Sequence, residues 1–304
     1  MFFNVNNFIN VIIILNVKTI TGTRNSELRI IDGVSSYDSE LQYVISLESQ
    51  ITRTIPGTKS NYNSFHICTG SALAPIWTLT AAHCVTGLNS VQGLPENTII
   101  KYVIRYDLNT GILKSQKETG QFVDVLETVL HTNSRLTQTE IVFSIHDIAL
   151  IRSDRMKLDK FAKLSPVDYH SLIGHEAIIA GYGLTKTIND TYLPSRQINN
   201  TLLVANVIIQ KCDKPSLFYP VVCLASKCGA PVLLVGGDSG GPLIHASGVV
   251  GIHCRGTYRT DQSYRIPDPP LYKVGYFCIA ILISAIQRLL SQLLYIMIRI
   301  ISFD

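Results

Sequence analysis

"GGDSGGPL", residues 236–243, sets four glycines around one carboxylate and one hydroxyl. Glycine has more backbone freedom to lose on folding than any other residue, so this density is a local cost that some constraint must offset. Two constraints qualify. One is a polar surface turn. The other is a backbone that turns sharply and lets a second molecule come close to Ser239. Taken alone, a G-x-S-x-G stretch is more often the first. The rest of the chain decides between them.

The bulk numbers narrow the classes. In 304 residues, charged side chains make up 16% and hydrophobic ones 46%, against about 25% charged in an average globular domain. The core can therefore be large, and the length suits two domains of about 100–150 residues each, or one large one. The net charge of +4 is spread without a basic block, which disfavours a nucleic-acid partner. Seven cysteines, at 68, 84, 212, 223, 228, 254 and 278, include no C-x-x-C pair, so a zinc ribbon or thioredoxin-like motif is disfavoured and no metal is expected. "FINVIIILNV" (8–17) has the length of a signal-peptide apolar region and is too short to span a bilayer. The same run also reads as a buried strand. With residues 1–19 as a leader, the compartment is extracellular and disulfides are permitted.

Past residue 30 the pattern is one of short apolar runs separated by turn residues. "YVISLES", "HICTGSAL", "WTLTAAH", "TIIKYVIRY", "QFVDVLETVLH", "HDIALIR", "EAIIAGYG", "NTLLVANVII" and "PLIHASGVVGIH" are rich in Val, Ile, Thr and Tyr and read as strands. No helical pattern alternates with them, which excludes a parallel α/β sheet. "SDRMKLDKFAKLSPVDYHS" (153–171) is charged, contains Pro166 and reads as a linker between two β domains. "GYFCIAILISAIQRLLSQLLYIMIRII" (275–301) places Ser284, Gln287, Arg288, Ser291 and Gln292 at spacings of three and four, the stripe of an amphipathic helix. A transmembrane span is the other reading, but Gln287, Arg288 and Gln292 near its centre weigh against membrane association.

A serine hydroxyl becomes a nucleophile only when a base takes its proton, and histidine is the usual base near neutrality. A carboxylate must then fix the imidazole tautomer. Chain order tests the candidates. The α/β-hydrolase order of Ser, acid, His cannot be completed, because no Asp or Glu lies between Ser239 and His253. The reverse order is available. "LTAAHC" (79–84) offers His83 and "HDIALI" (146–151) offers Asp147 at the head of an apolar run.

"LTAAHC", "DIALI" and "GDSGGPL", in this order, resemble the trypsin/chymotrypsin family of serine endopeptidases. "RIIDG" (29–33) resembles that family's activation junction and "GYG" (181–183) its Gly-Trp-Gly. The resemblance spans about residues 30–290. It implies an all-β fold: two antiparallel six-stranded β-barrels packed face to face (chymotrypsin-like), residues 30–155 and 156–273, followed by a C-terminal α-helix over 274–302. It implies a catalytic triad of His83, Asp147 and Ser239, with an oxyanion hole from the N–H groups of Gly237 and Ser239. It implies that Asp238 pairs with the amine of Ile30 once cleavage after Arg29 removes a short pro-peptide, residues 20–29. The disulfides implied are Cys68–Cys84 and Cys212–Cys223. The partners implied are protein or peptide substrates, an activating trypsin-like protease and protein inhibitors. No cofactor is implied.

The chain departs from the family pattern in several places. The position four before the serine, usually cysteine, is Val235. Where Ser-Trp-Gly is typical, the chain has Cys254, Arg255 and Gly256. In the family that serine supports the aspartate and that tryptophan walls the cleft. A thiol at Cys254 is a weaker hydrogen-bond partner than a hydroxyl, so the resemblance implies that Asp147 is held less firmly and that Arg255 makes the cleft wall charged. The resemblance implies that Leu233 lies at the floor of the primary pocket and Pro270 on one wall, so small or medium apolar side chains are expected there. Asn189-Asp-Thr and Asn199-Asn-Thr are glycosylation sequons. Three readings follow: a secreted serine endopeptidase made as a zymogen; a catalytically weak or inactive homologue acting as a binding module; and a membrane-tethered form. The intact His83, Asp147, Ser239 and Gly237 favour the first.

Overall fold

The structure, a computed structural model, describes residues 34–36, 39–53, 61–86, 98–108, 120–131, 134–136, 144–183, 202–211, 221–227, 234, 236–256 and 275–278. Six strands form a closed antiparallel barrel: β2 (Val44–Arg53), β3 (Asn61–Ala74), β4 (Trp77–Thr80), β5 (Thr98–Tyr106), β6 (Gln121–Leu130) and β9 (Ala149–Ser153), in the order β2-β3-β4-β9-β6-β5. Closure removes the sheet edges that would otherwise expose unpaired backbone groups. Ile45, Leu47, Leu79, Ile104, Leu150 and Ile151 are among the side chains that fill this barrel's core. A two-stranded ribbon, β7 (Arg135–Leu136) and β8 (Ser144–Ile145), leads into β9.

A second closed set follows: β10 (Glu176–Gly181), β11 (Leu202–Gln210), β12 (Val221–Ser226), β13 (Pro242–His245), β14 (Gly248–Gly256) and β15 (Gly275–Cys278). Its order is β11-β10-β13-β14-β15-β12, and β12 returns to pair with β11. Ile179, Leu203, Val207, Ile209, Leu224 and Leu243 form its core. Between the barrels, residues 154–168 run without a regular strand but are tied down. Met156 N–H bonds to Pro75 C=O at 2.7 Å and Ala162 N–H to Ala72 C=O at 2.8 Å.

Two boundaries differ from the sequence reading. Strand β1 (Val34–Ser36), placed by sequence with the first barrel, pairs instead with β11 of the second. Gly275–Cys278, expected to open a helix, is a strand laid between β12 and β14. The physical reason is that without β15 both neighbours would face unpaired edges, and closing the ladder outweighs the helical spacing of a short apolar run. The rest of 279–304 lies outside the described residues, as do the leader, the pro-peptide and both sequons. Among the described residues no helix is long and apolar enough to cross a membrane.

The Cys68–Cys84 disulfide is present and ties β3 to the turn after β4, across a sequence separation of 16. A closed loop of about this length limits the unfolded chain by roughly 3 kcal/mol. The double substitution Cys68→Ala, Cys84→Ala should lower the unfolding free energy in urea by about that amount. An unchanged urea midpoint would mean that other contacts already hold this loop.

Candidate active site

β4 and β9 are antiparallel neighbours with Thr80 opposite Ala149. His83 follows Thr80 closely in sequence and Asp147 just precedes Ala149, so this register brings both residues to the same end of the strand pair. The turn into β9 is tight. Ile148 N–H reaches the His146 carbonyl at 2.7 Å, and His146 lies at φ 52°, an uncommon setting for a residue with a side chain. The His146 ring stacks on His131 with centroids 4.7 Å apart. Local strain of this kind is often found where a functional side chain must be aimed; here it fixes the residue before Asp147.

Asp147 is only 1% exposed. Both of its oxygens are taken by one residue: Oδ1 accepts the His83 backbone N–H at 2.8 Å, and Oδ2 lies 2.6 Å from His83 Nδ1. Facing a carboxylate, Nδ1 carries the proton, so Nε2 of the neutral ring keeps its lone pair. The His83 side chain is 29% exposed. That leaves room for a hydroxyl proton to reach Nε2.

The glycine-rich turn answers to packing as well as chemistry. Gly237 lies at φ 95° and Gly240 at φ 78°, backbone regions that side-chain-bearing residues rarely enter. A Cβ on Gly237 would come within 2.8 Å of the His66 ring. One on Gly240 would overlap Thr80 Oγ1 and the Thr69 carbonyl. The turn is thus pressed against the first barrel, where Thr69 N–H donates to the Ser239 carbonyl at 2.9 Å. From its own barrel, Gly240 N–H reaches the His253 carbonyl at 2.6 Å. Ser239 and His83 therefore share one seam. No hydrogen bond joins Ser239 Oγ to His83 Nε2 among the described residues, and in ligand-free sites such contacts are often long.

Asp238 is 1% exposed and accepts the Gly183 N–H at 2.8 Å. Side chains on Gly181 or Gly183 would overlap its carboxylate, so the "GYG" glycines make its socket. Arg29, Ile30, Leu233 and Pro270 lie outside the described residues, as does the Arg255 side chain; Gly256 ends β14.

Cys254 requires a correction. It is disulfide-bonded and has no S–H to offer Asp147. It is the extra residue of a bulge between His253 and Arg255, and a bulge re-aims the side chain it carries. Cys223 is disulfide-bonded too. Strand β15 separates Cys223 from Cys254, which puts them about 10 Å apart and beyond the reach of a shared bridge. Each therefore has a different partner; Cys212, the partner expected for Cys223, lies outside the described residues. Cys68, His83 and Cys84 cluster within 4.8 Å, but the two sulfurs are bonded to each other and supply no thiolate to a metal.

A polar assembly that the motifs did not reveal stands behind the turn. The Gly237 carbonyl accepts from His66 Nε2 and from Thr69 Oγ1, each at 2.9 Å. His66 Nδ1 lies 2.7 Å from Ser46 Oγ, and Ser46 Oγ lies 3.1 Å from Glu48 Oε1. Glu48 is fully buried, receives the Ser64 hydroxyl and sits 2.9 Å from Arg105 Nε. The Arg105 guanidinium lies 4.4 Å from the Phe122 ring centroid. One signal was legible: "YVISLES" places Ser46 and Glu48 two apart in a run that otherwise reads as buried.

Burial pushes the Glu48 carboxyl above its ordinary value of 4.5, and the Ser64, Arg105 and Ser46 contacts offset only part of that. A raised folded-state value means that the folded protein holds this proton more tightly than the unfolded chain. The associated stability is present below about pH 4.5 and is lost as pH rises through the raised value. In urea titrations from pH 4 to 7, wild type should therefore lose stability relative to Glu48→Gln as pH increases. A difference that stays constant with pH would show that Glu48 does not titrate in this way.

A buried acid bonded to a histidine and a serine on a glycine turn thus lie along the seam of two antiparallel barrels. Residues 30–269 match the sequence profile of the Trypsin family. The chain is 29% identical to kallikrein-8 of the rat over 219 residues, covering 68% of this chain and 72% of that protein. It is 27% identical over 202 residues to human chymotrypsin-like elastase family member 1, covering 61% and 67% respectively. Among solved structures, neuropsin, a serine protease expressed in the limbic system of mouse brain, superposes with a TM-score of 0.57 at 24% identity, over 86% of this chain and all of that one. At that identity the superposition speaks for the fold. The chain belongs to the trypsin family and is a serine-type endopeptidase.

Proposed function

We propose that Ser239, His83 and Asp147 form the catalytic triad of a secreted endopeptidase that works through an acyl-enzyme. The observation that carries this reading is the buried Asp147, with both oxygens on His83. His83 Nε2 takes the Ser239 hydroxyl proton as Oγ attacks the scissile carbonyl. It then gives that proton to the departing amine, and the carbonyl carbon is left as an ester on Ser239. Water, deprotonated by the same Nε2, hydrolyses the ester. Asp147 keeps the ring in one tautomer and stabilises the imidazolium. The N–H groups of Gly237 and Ser239 hold the developing oxyanion, each worth roughly 3–4 kcal/mol.

The protein is made as a zymogen. Cleavage after Arg29 frees the Ile30 amine as a cationic partner for Asp238. The depth of that carboxylate, held by the Gly183 N–H in a socket lined by Gly181 and Gly183, supports this reading. A trypsin-like protease supplies the cleavage, and Asn189 and Asn199 carry glycans in the exported form. After limited tryptic activation, wild type should label stoichiometrically with an organophosphonate. Ser239→Ala should remain folded and neither label nor turn over ester. Wild-type turnover in Ser239→Ala would falsify the assignment.

Leu233 at the pocket floor leaves an incoming cation unpaired at a cost of several kcal/mol, so Lys and Arg are poor primary residues. With Gly256 and Pro270 on the walls and Arg255 at the cleft, the pocket takes small or medium apolar side chains. Profiling the activated protein on a peptide library should give cleavage after such residues. Dominant cleavage after Lys or Arg would overturn the pocket assignment, and no cleavage at all would mean that Leu233 fills the pocket.

A further inference from the structure

Thr69 is fully buried beside the Cys68–Cys84 bridge. Its hydrogen bonds reach three separate segments. Its backbone N–H holds the Ser239 carbonyl at 2.9 Å. Its carbonyl accepts the Thr80 hydroxyl at 3.0 Å. Its own hydroxyl accepts Tyr182 N–H at 3.1 Å and lies 2.9 Å from the Gly237 carbonyl. The direction of this last bond is not ambiguous. A backbone N–H can only donate, so the hydroxyl uses a lone pair on Tyr182. Its single proton is then free for Gly237, whose carbonyl can only accept.

The Gly237 carbonyl thus has a donor for each lone pair, Thr69 Oγ1 and His66 Nε2. Both come from β3, on either side of the bulge that offsets Cys68 from His66 against β2. Gly237 itself lies at φ 95°, a conformation that glycine's freedom permits but does not select. Something outside the turn must hold it there. Rotating the Gly237 carbonyl would break its bonds to Thr69 and His66 and leave a buried hydroxyl, a partly buried ring N–H and a carbonyl to find new partners.

We propose that Thr69 is a positioning residue for the oxyanion turn: its hydroxyl links Tyr182 to the Gly237 carbonyl and so anchors the residue that carries the oxyanion-facing N–H before substrate arrives. This rests on the peptidase reading above. It extends that reading to a residue that touches neither substrate nor the reacting serine side chain. The hydroxyl acts on the transition state, where the oxyanion forms, and leaves the binding of ground-state substrate nearly untouched.

The test uses the activated full chain and three variants. Thr69→Val keeps the branched shape and removes the hydroxyl. Thr69→Ser keeps the hydroxyl. Thr69→Ala stands in for Val if Val does not fold. In Thr69→Val, kcat for an ester substrate should fall about 10–100-fold, with KM within about threefold. Affinity for a peptide aldehyde, which forms an oxyanion on Ser239, should fall by a similar factor. Affinity for the matching peptide alcohol, which forms none, should not move. Thr69→Ser should restore kcat to within about threefold of wild type. A wild-type kcat in Val, or in Ala where Val does not fold, overturns the inference, as do parallel losses for aldehyde and alcohol or a Ser variant as impaired as Val. A wild-type protein that does not label with phosphonate overturns the peptidase reading, and this inference with it. Labelling of wild type beside an unimpaired Val variant overturns the inference alone.

Discussion

A carboxylate with no access to water has to be satisfied by the protein, and Asp147 is satisfied by one residue. His83 gives it a backbone N–H and a ring nitrogen, at 2.8 and 2.6 Å. That double attachment couples the conformation of the chain at His83 to the orientation of its ring, so neither can move without exposing an unpaired buried charge. Much of the first barrel serves this contact. The β4–β9 register brings the two residues to one end, the disulfide fixes the residue after His83, and the left-handed His146 sets up the approach of Asp147. Strand register, bridge and turn are three independent constraints on one geometry. That redundancy is what a preorganised site requires.

The second half of the site is held by a different logic. The Ser239 turn docks on the first barrel through backbone groups and short hydroxyls, with almost no side-chain bulk in between. Thr69 N–H meets the Ser239 carbonyl, the Thr80 hydroxyl meets the Thr69 carbonyl, and Gly240 leaves no Cβ to collide with either. Long side chains lose rotamer entropy when ordered and tolerate a range of separations. Backbone donors and acceptors at 2.9 Å tolerate almost none. A seam made this way sets the distance between barrels sharply, and with it the distance between a serine on one and a histidine on the other.

What was legible in the sequence follows from this division. Most strands were legible because β-branched apolar runs between turn residues are a local signal, and β2 to β6, β9 to β11, β13 and β14 fall on the runs that suggested them; β7, β8 and β12 fall on none and are defined by the strands they pair with. His83, Asp147 and Ser239 were legible because each sits in a short stretch whose composition is itself unusual. His66 and Thr69 were not. Their meaning comes from Gly237, 171 and 168 residues away in sequence, and nothing in "HICTGS" announces that partner. Cys254 misled for a related reason: a bulge and a distant half-cystine decide its chemistry, and neither is visible in "HCRG". The same holds for β1 and β15, short segments whose assignment depends on which sheet still has an open edge.

The charges behind the turn sharpen the contrast between stability and placement. Glu48 and Arg105 sit inside a small barrel where apolar side chains of similar volume would pack at no desolvation cost, and buried ion pairs are often replaceable in this way with a gain in stability. The raised Glu48 value says the same of this pair: burial outweighs the partners gathered around the carboxylate. What such residues could not be replaced for is direction. A hydrophobic substitute would leave Ser46 without its acceptor, and Ser46 is the hydroxyl that meets His66 Nδ1. The His66 ring in turn fixes one lone pair of the Gly237 carbonyl, with Thr69 on the other. The barrel interior therefore gives up apolar packing at Glu48 and Arg105, and in exchange the orientation of a single peptide group at the seam is specified from two sides.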